Sequence, residues 1–81
     1  MTVVELISKE ECHLCDVARD TILRVQHDIP FELRQIKISE GEPLFEQYGH
    51  RVPVILINNE FAFQFKVREN DLAAKLRALE R

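Results

Sequence analysis

The chain is poor in residues that interrupt regular structure, with only two glycines and three prolines among 81 positions. Extended disorder is thereby excluded, and a hydrophobic share of 46 % with 31 % charged residues predicts a soluble globular protein. Cysteine is scarce as well: the two present, Cys12 and Cys15, lie too close in sequence to staple a fold usefully. No apolar run approaches the roughly 20 residues of a membrane-spanning helix, the longest aliphatic stretch being Val54-Ile55-Leu56-Ile57. An excess of basic residues is also missing. The formal charge is −3 and Lys and Arg are scattered, so nothing attracts a nucleic-acid backbone or an anionic membrane. The opening residues, Met1-Thr2-Val3-Val4-Glu5, form neither a basic leader nor a cleavable apolar stretch. These absences predict a cytoplasmic protein, taken as monomeric, with one domain over residues 1–81.

What is present reads as alternating strands and helices. Val3 to Ile7 is a β-branched and aliphatic run suited to a strand covered on both faces, ending at the polar turn Ser8-Lys9-Glu10-Glu11. Leu14, Val17, Ala18, Ile22 and Val25 fall at the spacing of one helix face, and that helix should end near His27-Asp28, before Pro30. Phe31-Glu32-Leu33 and Ile36-Lys37-Ile38 alternate in opposite phase, which predicts a bulged strand. Ser39 and Glu42 resemble a capping box, with Gly41 and Pro43 leaving the first turn two possible starts; a short helix through Leu44, Phe45 and Tyr48 should stop at Gly49. Val54 to Ile57 is a buried strand, and Asn58-Asn59 suits a tight hairpin returning through Phe61-Ala62-Phe63. Leu72, Ala73, Leu76 and Leu79 mark a final helix capped near Glu69 or Asn70. The order βαβαββα makes the first two strands parallel through a right-handed crossover and the last two antiparallel. An α/β fold with a four-stranded mixed sheet and helices on both faces follows.

Cys12-His13-Leu14-Cys15 lies where the first strand hands over to the first helix, which places Cys12 at or just before the helix amino terminus. Unpaired N–H groups and the positive end of the macrodipole stabilise an anion there, and a thiolate is the form of cysteine that attacks disulfides. Cys15, one turn along and partly beneath, then attacks the mixed disulfide formed by Cys12 and releases the reduced substrate. Redox exchange has two rivals at this pair: a thioredoxin-fold relic without turnover, and a metal or cluster site. Zinc wants four ligands, and His27 and His50 do not lie at finger-like spacing from the cysteines, so no metal is expected.

The run Ser8-Lys9-Glu10-Glu11-Cys12-His13-Leu14-Cys15, with Arg51-Val52-Pro53 before a hairpin, resembles the glutaredoxin branch of the thioredoxin superfamily. It is most similar to small bacterial glutaredoxin-like domains of unassigned substrate, which carry C-H-L-C-D, here Cys12 to Asp16, where glutaredoxins usually carry C-P-Y-C. The resemblance spans essentially the whole chain. It implies a thioredoxin-like fold and a thiol–disulfide oxidoreductase acting on protein or low-molecular-weight disulfides. No cofactor would be bound, and electrons would come from glutathione or a thioredoxin reductase. It also implies a cis Val52–Pro53 bond facing the cysteines, with the Val52 backbone free to hydrogen-bond an extended thiol substrate; read from residues alone, Pro53 merely opens an edge strand. Where glutaredoxins have a Gly-Gly-x-Asp-like turn after the hairpin, this chain has Lys66-Val67-Arg68-Glu69, a departure at the glutathione site.

Around the pair, Lys9 favours a thiolate while Glu10, Glu11 and Asp16 oppose one, and a cationic His13 in place of the usual proline would stabilise it. Arg51 is either a partner for a substrate carboxylate beside Val52 or an ordinary exposed loop arginine. His27 suits a structural place at a helix end, and His50 a solvated loop. The phenylalanines are expected in the core, although Phe61, Phe63 and Phe65, if they alternate on one strand, share a face, and an exposed member would suggest a partner surface. The rival to an enzyme is a non-catalytic binding or adaptor module that keeps the fold and recognises a partner beside Pro53.

Overall fold

The computed structural model describes residues 1–80. Its elements follow in the order β1 (Val3–Lys9), α1 (His13–Asp28), β2 (Glu32–Ile38), α2 (Pro43–Tyr48), β3 (Val54–Ile57), β4 (Glu60–Gln64) and α3 (Glu69–Leu79). The strands form a sheet in the order β2-β1-β3-β4, with β1 parallel to β2 and antiparallel to β3, and β3 antiparallel to β4. Each face of β1 is covered because a crossover helix occupies one side of a parallel pair and α2 closes the other.

Alternation along the strands assigns two cores. Val4 and Leu6 of β1 and Ile55 and Ile57 of β3 join Ala18, Ile22 and Val25 of α1 and Leu72 and Leu76 of α3 on one face. Ile7, Ile38 and Val54 point to the other, where Phe45 and Tyr48 of α2 pack with Val52 and Cys15. This arrangement explains β2 without a bulge. β2 pairs with β1 in unbroken register from Val3↔Glu32 to Lys9↔Ile38. Leu33 packs into the α1–α3 core and Ile36 and Ile38 into the opposite one, so the change of phase records which face is covered, not an inserted residue.

The bulge instead lies in the hairpin. Ile55 pairs with Phe63 but Leu56 with Phe61, which leaves Ala62 as the extra residue. Phe61 and Phe63 therefore do not share a face: Phe63 packs against the α1–α3 core, whereas Phe61 is half-exposed. The Asn58-Asn59 turn has positive φ at both residues, 52° and 69°, which Asn tolerates, and Asn58 Oδ1 accepts from the Val3 N–H at 2.9 Å.

Helix ends follow local chemistry. Pro30 restricts Ile29 to extended backbone (φ −125°, ψ 102°), and the Ile29 N–H closes α1 on the Val25 carbonyl. Glu42 is the cap of α2 with Pro43 in its first turn, and the Glu42 carboxylate accepts from the Ser39 N–H at 2.8 Å. α3 is capped by Arg68, one residue before Glu69, the nearer of the two expected caps. Three apolar side chains assigned to helix faces lie outside the cores. Leu79 is exposed in the last turn of α3. Val17 sits about 100° around α1 from Ala18, and Leu14, though on the stripe, occupies the first turn, beyond the reach of α3; both are exposed. Cys15 and Thr21 complete the buried stripe, with the Thr21 hydroxyl donating to the Val17 carbonyl at 3.2 Å. No described helix is long and apolar enough to cross a membrane.

Candidate functional site

The end of β1 and the start of α1 are joined through Glu10 and Glu11, the second in the left-handed region at φ 52°. That turn delivers Cys12 as the amino-terminal cap of α1. A cap residue keeps extended backbone while its side chain satisfies an orphan amide. Cys12 does this with sulfur: Sγ accepts from the Cys15 N–H at 3.2 Å, and its carbonyl accepts from the Asp16 N–H at 3.2 Å. The two cysteines form a disulfide, with Cα atoms 5.2 Å apart. Cys12 is half-buried, whereas Cys15 is only 3 % exposed. One sulfur is thus presented and the other stored.

Val52 belongs to the same packed cluster as Cys12 and Cys15, and the Val52–Pro53 peptide bond is cis. Among the described residues, neither the N–H nor the carbonyl of Val52 has a hydrogen-bond partner, although Val52 is buried. Its neighbours are tied down: the Arg51 N–H donates to the Tyr48 carbonyl, and the Pro53 carbonyl accepts from the Phe65 N–H at 2.8 Å. Buried amides are normally paired, so the Val52 peptide stands out as unpartnered.

The remaining candidate residues divide. Lys9, at the end of β1, donates from Nζ to the Gly49 carbonyl at 3.2 Å and so ties β1 to the loop that leads to Val52. His13 is exposed in the first turn of α1 and makes no side-chain hydrogen bond among the described residues. Arg51 is not a free loop arginine. Its guanidinium lies 5.6 Å from the Tyr48 ring centre and 5.5 Å from that of Phe61, and Nε donates to Gln64 at 2.9 Å. His50 is exposed and meets Phe45 edge-on, and His27 lies in the last turn of α1.

On the side of the pair bounded by β2, a polar cleft of about 440 Å³ is lined by both cysteines, Glu10, Glu11, Asp16, Arg19, Gln35 and Lys37 among others. Proximity in sequence places the carboxylates at the cysteines, but it does not reveal Arg19, Gln35 or Lys37. The strand residues arrive through the parallel register, which sets Gln35 beside Leu6 and Lys37 beside Ser8 on the α1 face. Charges of both signs line this cleft, and the exposed Lys37–Glu10 pair at 3.4 Å contributes little. Among the described residues, no three His, Cys, Asp or Glu side chains converge as a metal-ligand set.

The sequence model of the family described as "Glutaredoxin-like domain (DUF836)" matches residues 3–77. Among solved structures, a structural-genomics target protein from X. campestris is 25 % identical over 93 % of this chain and 96 % of its own, with a TM-score of 0.78. A protein of Nitrosomonas europaea solved by NMR is 26 % identical, covering 91 % of this chain and 89 % of its own, with a TM-score of 0.77. Thioredoxin 1 from Thermosipho africanus, at 15 % identity and a TM-score of 0.62 over 98 % of this chain and 99 % of its own, shares the fold.

Proposed function

The chain belongs to the family of glutaredoxin-like domains, and from that premise we propose that it is a dithiol–disulfide oxidoreductase. The observation that carries this reading is the capping of α1 by the Cys12 sulfur, with the Cys15 amide aimed at it and the Cys15 sulfur within bonding range. In the reduced protein, the same amide and the helix terminus hold a thiolate at Cys12. That thiolate bonds one sulfur of a substrate disulfide, and the other sulfur leaves as a thiolate. Cys15 then gives its proton to solvent and attacks the Cys12 sulfur. The Cys12–Cys15 bond forms and the second substrate thiolate departs, so two electrons have passed from the pair to the substrate. Fresh reductant, glutathione or a thioredoxin reductase, restores the dithiol, and no bound cofactor takes part.

Val52 and Pro53 act as the docking edge: the unpartnered Val52 peptide pairs with the backbone flanking the substrate disulfide. Lys9 holds that loop at its distance from α1 through Gly49, and His13 faces the solvent from which substrate arrives. Arg51 sets the loop from behind, locked against Tyr48, Phe61 and Gln64. The protein acts in the cytoplasm, as a monomer, on protein or small disulfides.

The test is turnover of hydroxyethyl disulfide by reduced protein with a coupled reductant. Wild type should cycle and Cys12→Ser should not. Without the reductant, Cys15→Ser should complete the first exchange and stop as a mixed disulfide, visible by mass as the added thiol. A wild-type rate no higher than that of Cys12→Ser would replace this reading with a binding module that keeps the fold without exchange.

A further inference from the structure

We infer that the substrate of this dithiol is a protein disulfide flanked by an apolar side chain and a carboxylate, and that the flanking segment docks in the groove between the first turns of α1 and the loop joining β4 to α3. The inference rests on the oxidoreductase reading and names its substrate class. The groove encloses about 330 Å³, between Leu14 and Val17 on one side and Phe65, Lys66, Val67 and Arg68 on the other. Three of its apolar side chains are unusually open to water: Leu14 is 42 % exposed, Val17 46 % and Phe65 43 %. Apolar groups clustered along one groove, instead of scattered, mark a contact surface.

Two further observations select the occupant. The first is continuity. The Phe65 N–H donates to the Pro53 carbonyl at 2.8 Å, so the groove wall is built onto the turn whose Val52 peptide lacks partners. Leu14 meanwhile lies between the two cysteines in the chain. A polypeptide paired with Val52 would run toward the wall that Phe65 forms beside Pro53. The second is charge. Lys66 and Arg68 are exposed and make no salt bridge among the described residues, on a chain whose formal charge is −3. Two uncommitted cations on an otherwise acidic protein complement a carboxylate. Glutathione brings carboxylates but no apolar side chain, and would leave the Leu14, Val17 and Phe65 walls wet.

The experiment uses reduced full-length protein, freed of reductant, and short peptides joined through a single cysteine to 2-thiopyridine, whose release is read by absorbance. In one peptide the cysteine is flanked by leucine and glutamate, and in the other by alanine and lysine. The first should react about tenfold faster, the discrimination expected from burying one aliphatic side chain and pairing one charge. Val17→Ser and Lys66→Glu/Arg68→Glu should each lose most of that preference while reducing hydroxyethyl disulfide within about twofold of wild type. Equal rates for the two peptides, with hydroxyethyl disulfide still reduced, would overturn the inference and leave the oxidoreductase reading intact. Binding of the same peptides with serine in place of cysteine, followed by amide shifts at Val17 and Phe65, separates the two claims further. Preferential binding of the leucine–glutamate peptide without any turnover would sustain the groove and sink the enzyme. Absence of preference in both binding and rate would sink the groove.

Discussion

Cys12 and Cys15 differ in one respect that chemistry reads directly: the first is half-buried at a cap and the second is 3 % exposed. Alkylation needs an accessible thiolate. In the reduced protein, iodoacetamide should therefore modify Cys12 at least about tenfold faster than Cys15, as peptide mass mapping of a time course would show; equal rates would remove the distinction between attacking and resolving sulfurs. Arg51 makes the complementary case. Its stack on Tyr48 and Phe61 and its bond to Gln64 fix the residue before Val52. Arg51→Ala should cost about 1–2 kcal/mol in urea unfolding, and Arg51→Lys should recover less than half of that, because an ammonium lacks the planar face. The cysteines were legible in the sequence because a helical pattern beginning at Leu14 puts Cys12 at a cap by counting alone. The stack was not, since Phe61 reaches Arg51 only after Ala62 is inserted into β4, and no periodicity announces which strand of a hairpin will bulge.

At the level of elements, the two glycines constrain α2 and its approach for different reasons. Gly41 has φ +92° and open space around a Cβ, whereas Gly49 ends α2 in right-handed backbone, where a Cβ would meet the Phe45 carbonyl oxygen at 2.5 Å and its ring at 2.9 Å. Gly49→Ala should therefore destabilise by about 1–3 kcal/mol and Gly49→Leu by more, since the obstacle is volume. Gly41→Ala should lose about 1–2 kcal/mol, with little further loss at Gly41→Leu, since the cost there is backbone strain. Urea midpoints for the four variants check this, and a size dependence at Gly41 matching that at Gly49 would refute the distinction. The end of α2 at Gly49 was readable from sequence; its cause, contact with Phe45, needed coordinates. The opposite phases of β2 were equally visible. Their reading as a bulge failed because a strand covered on both sides can change which face it buries without any change of register.

For the whole molecule, the question is how much of the fold depends on the bond between the cysteines. The α1–α3 core contains neither cysteine, and Cys15 stays a small apolar side chain when reduced, so both cores survive opening of the bond. Far-UV circular dichroism of the two forms should coincide. Stability should differ, within limits. Closing a loop of this size removes chain entropy from the unfolded state equivalent to roughly 2 kcal/mol, which favours the oxidised form. Against that, the reduced folded protein gains what the unfolded chain lacks, a helix terminus and the Cys15 amide around a Cys12 thiolate, together about 1 kcal/mol or more. The oxidised protein should consequently exceed the reduced one at pH 7 by clearly less than about 2 kcal/mol, a gap measurable from paired urea titrations with and without excess reductant. A gap at or above that value would mean that folding does nothing for the thiolate, and the proposed attack by Cys12 would lose its physical basis. A gap near zero would place the stabilisation of the reduced form at the strength the exchange requires.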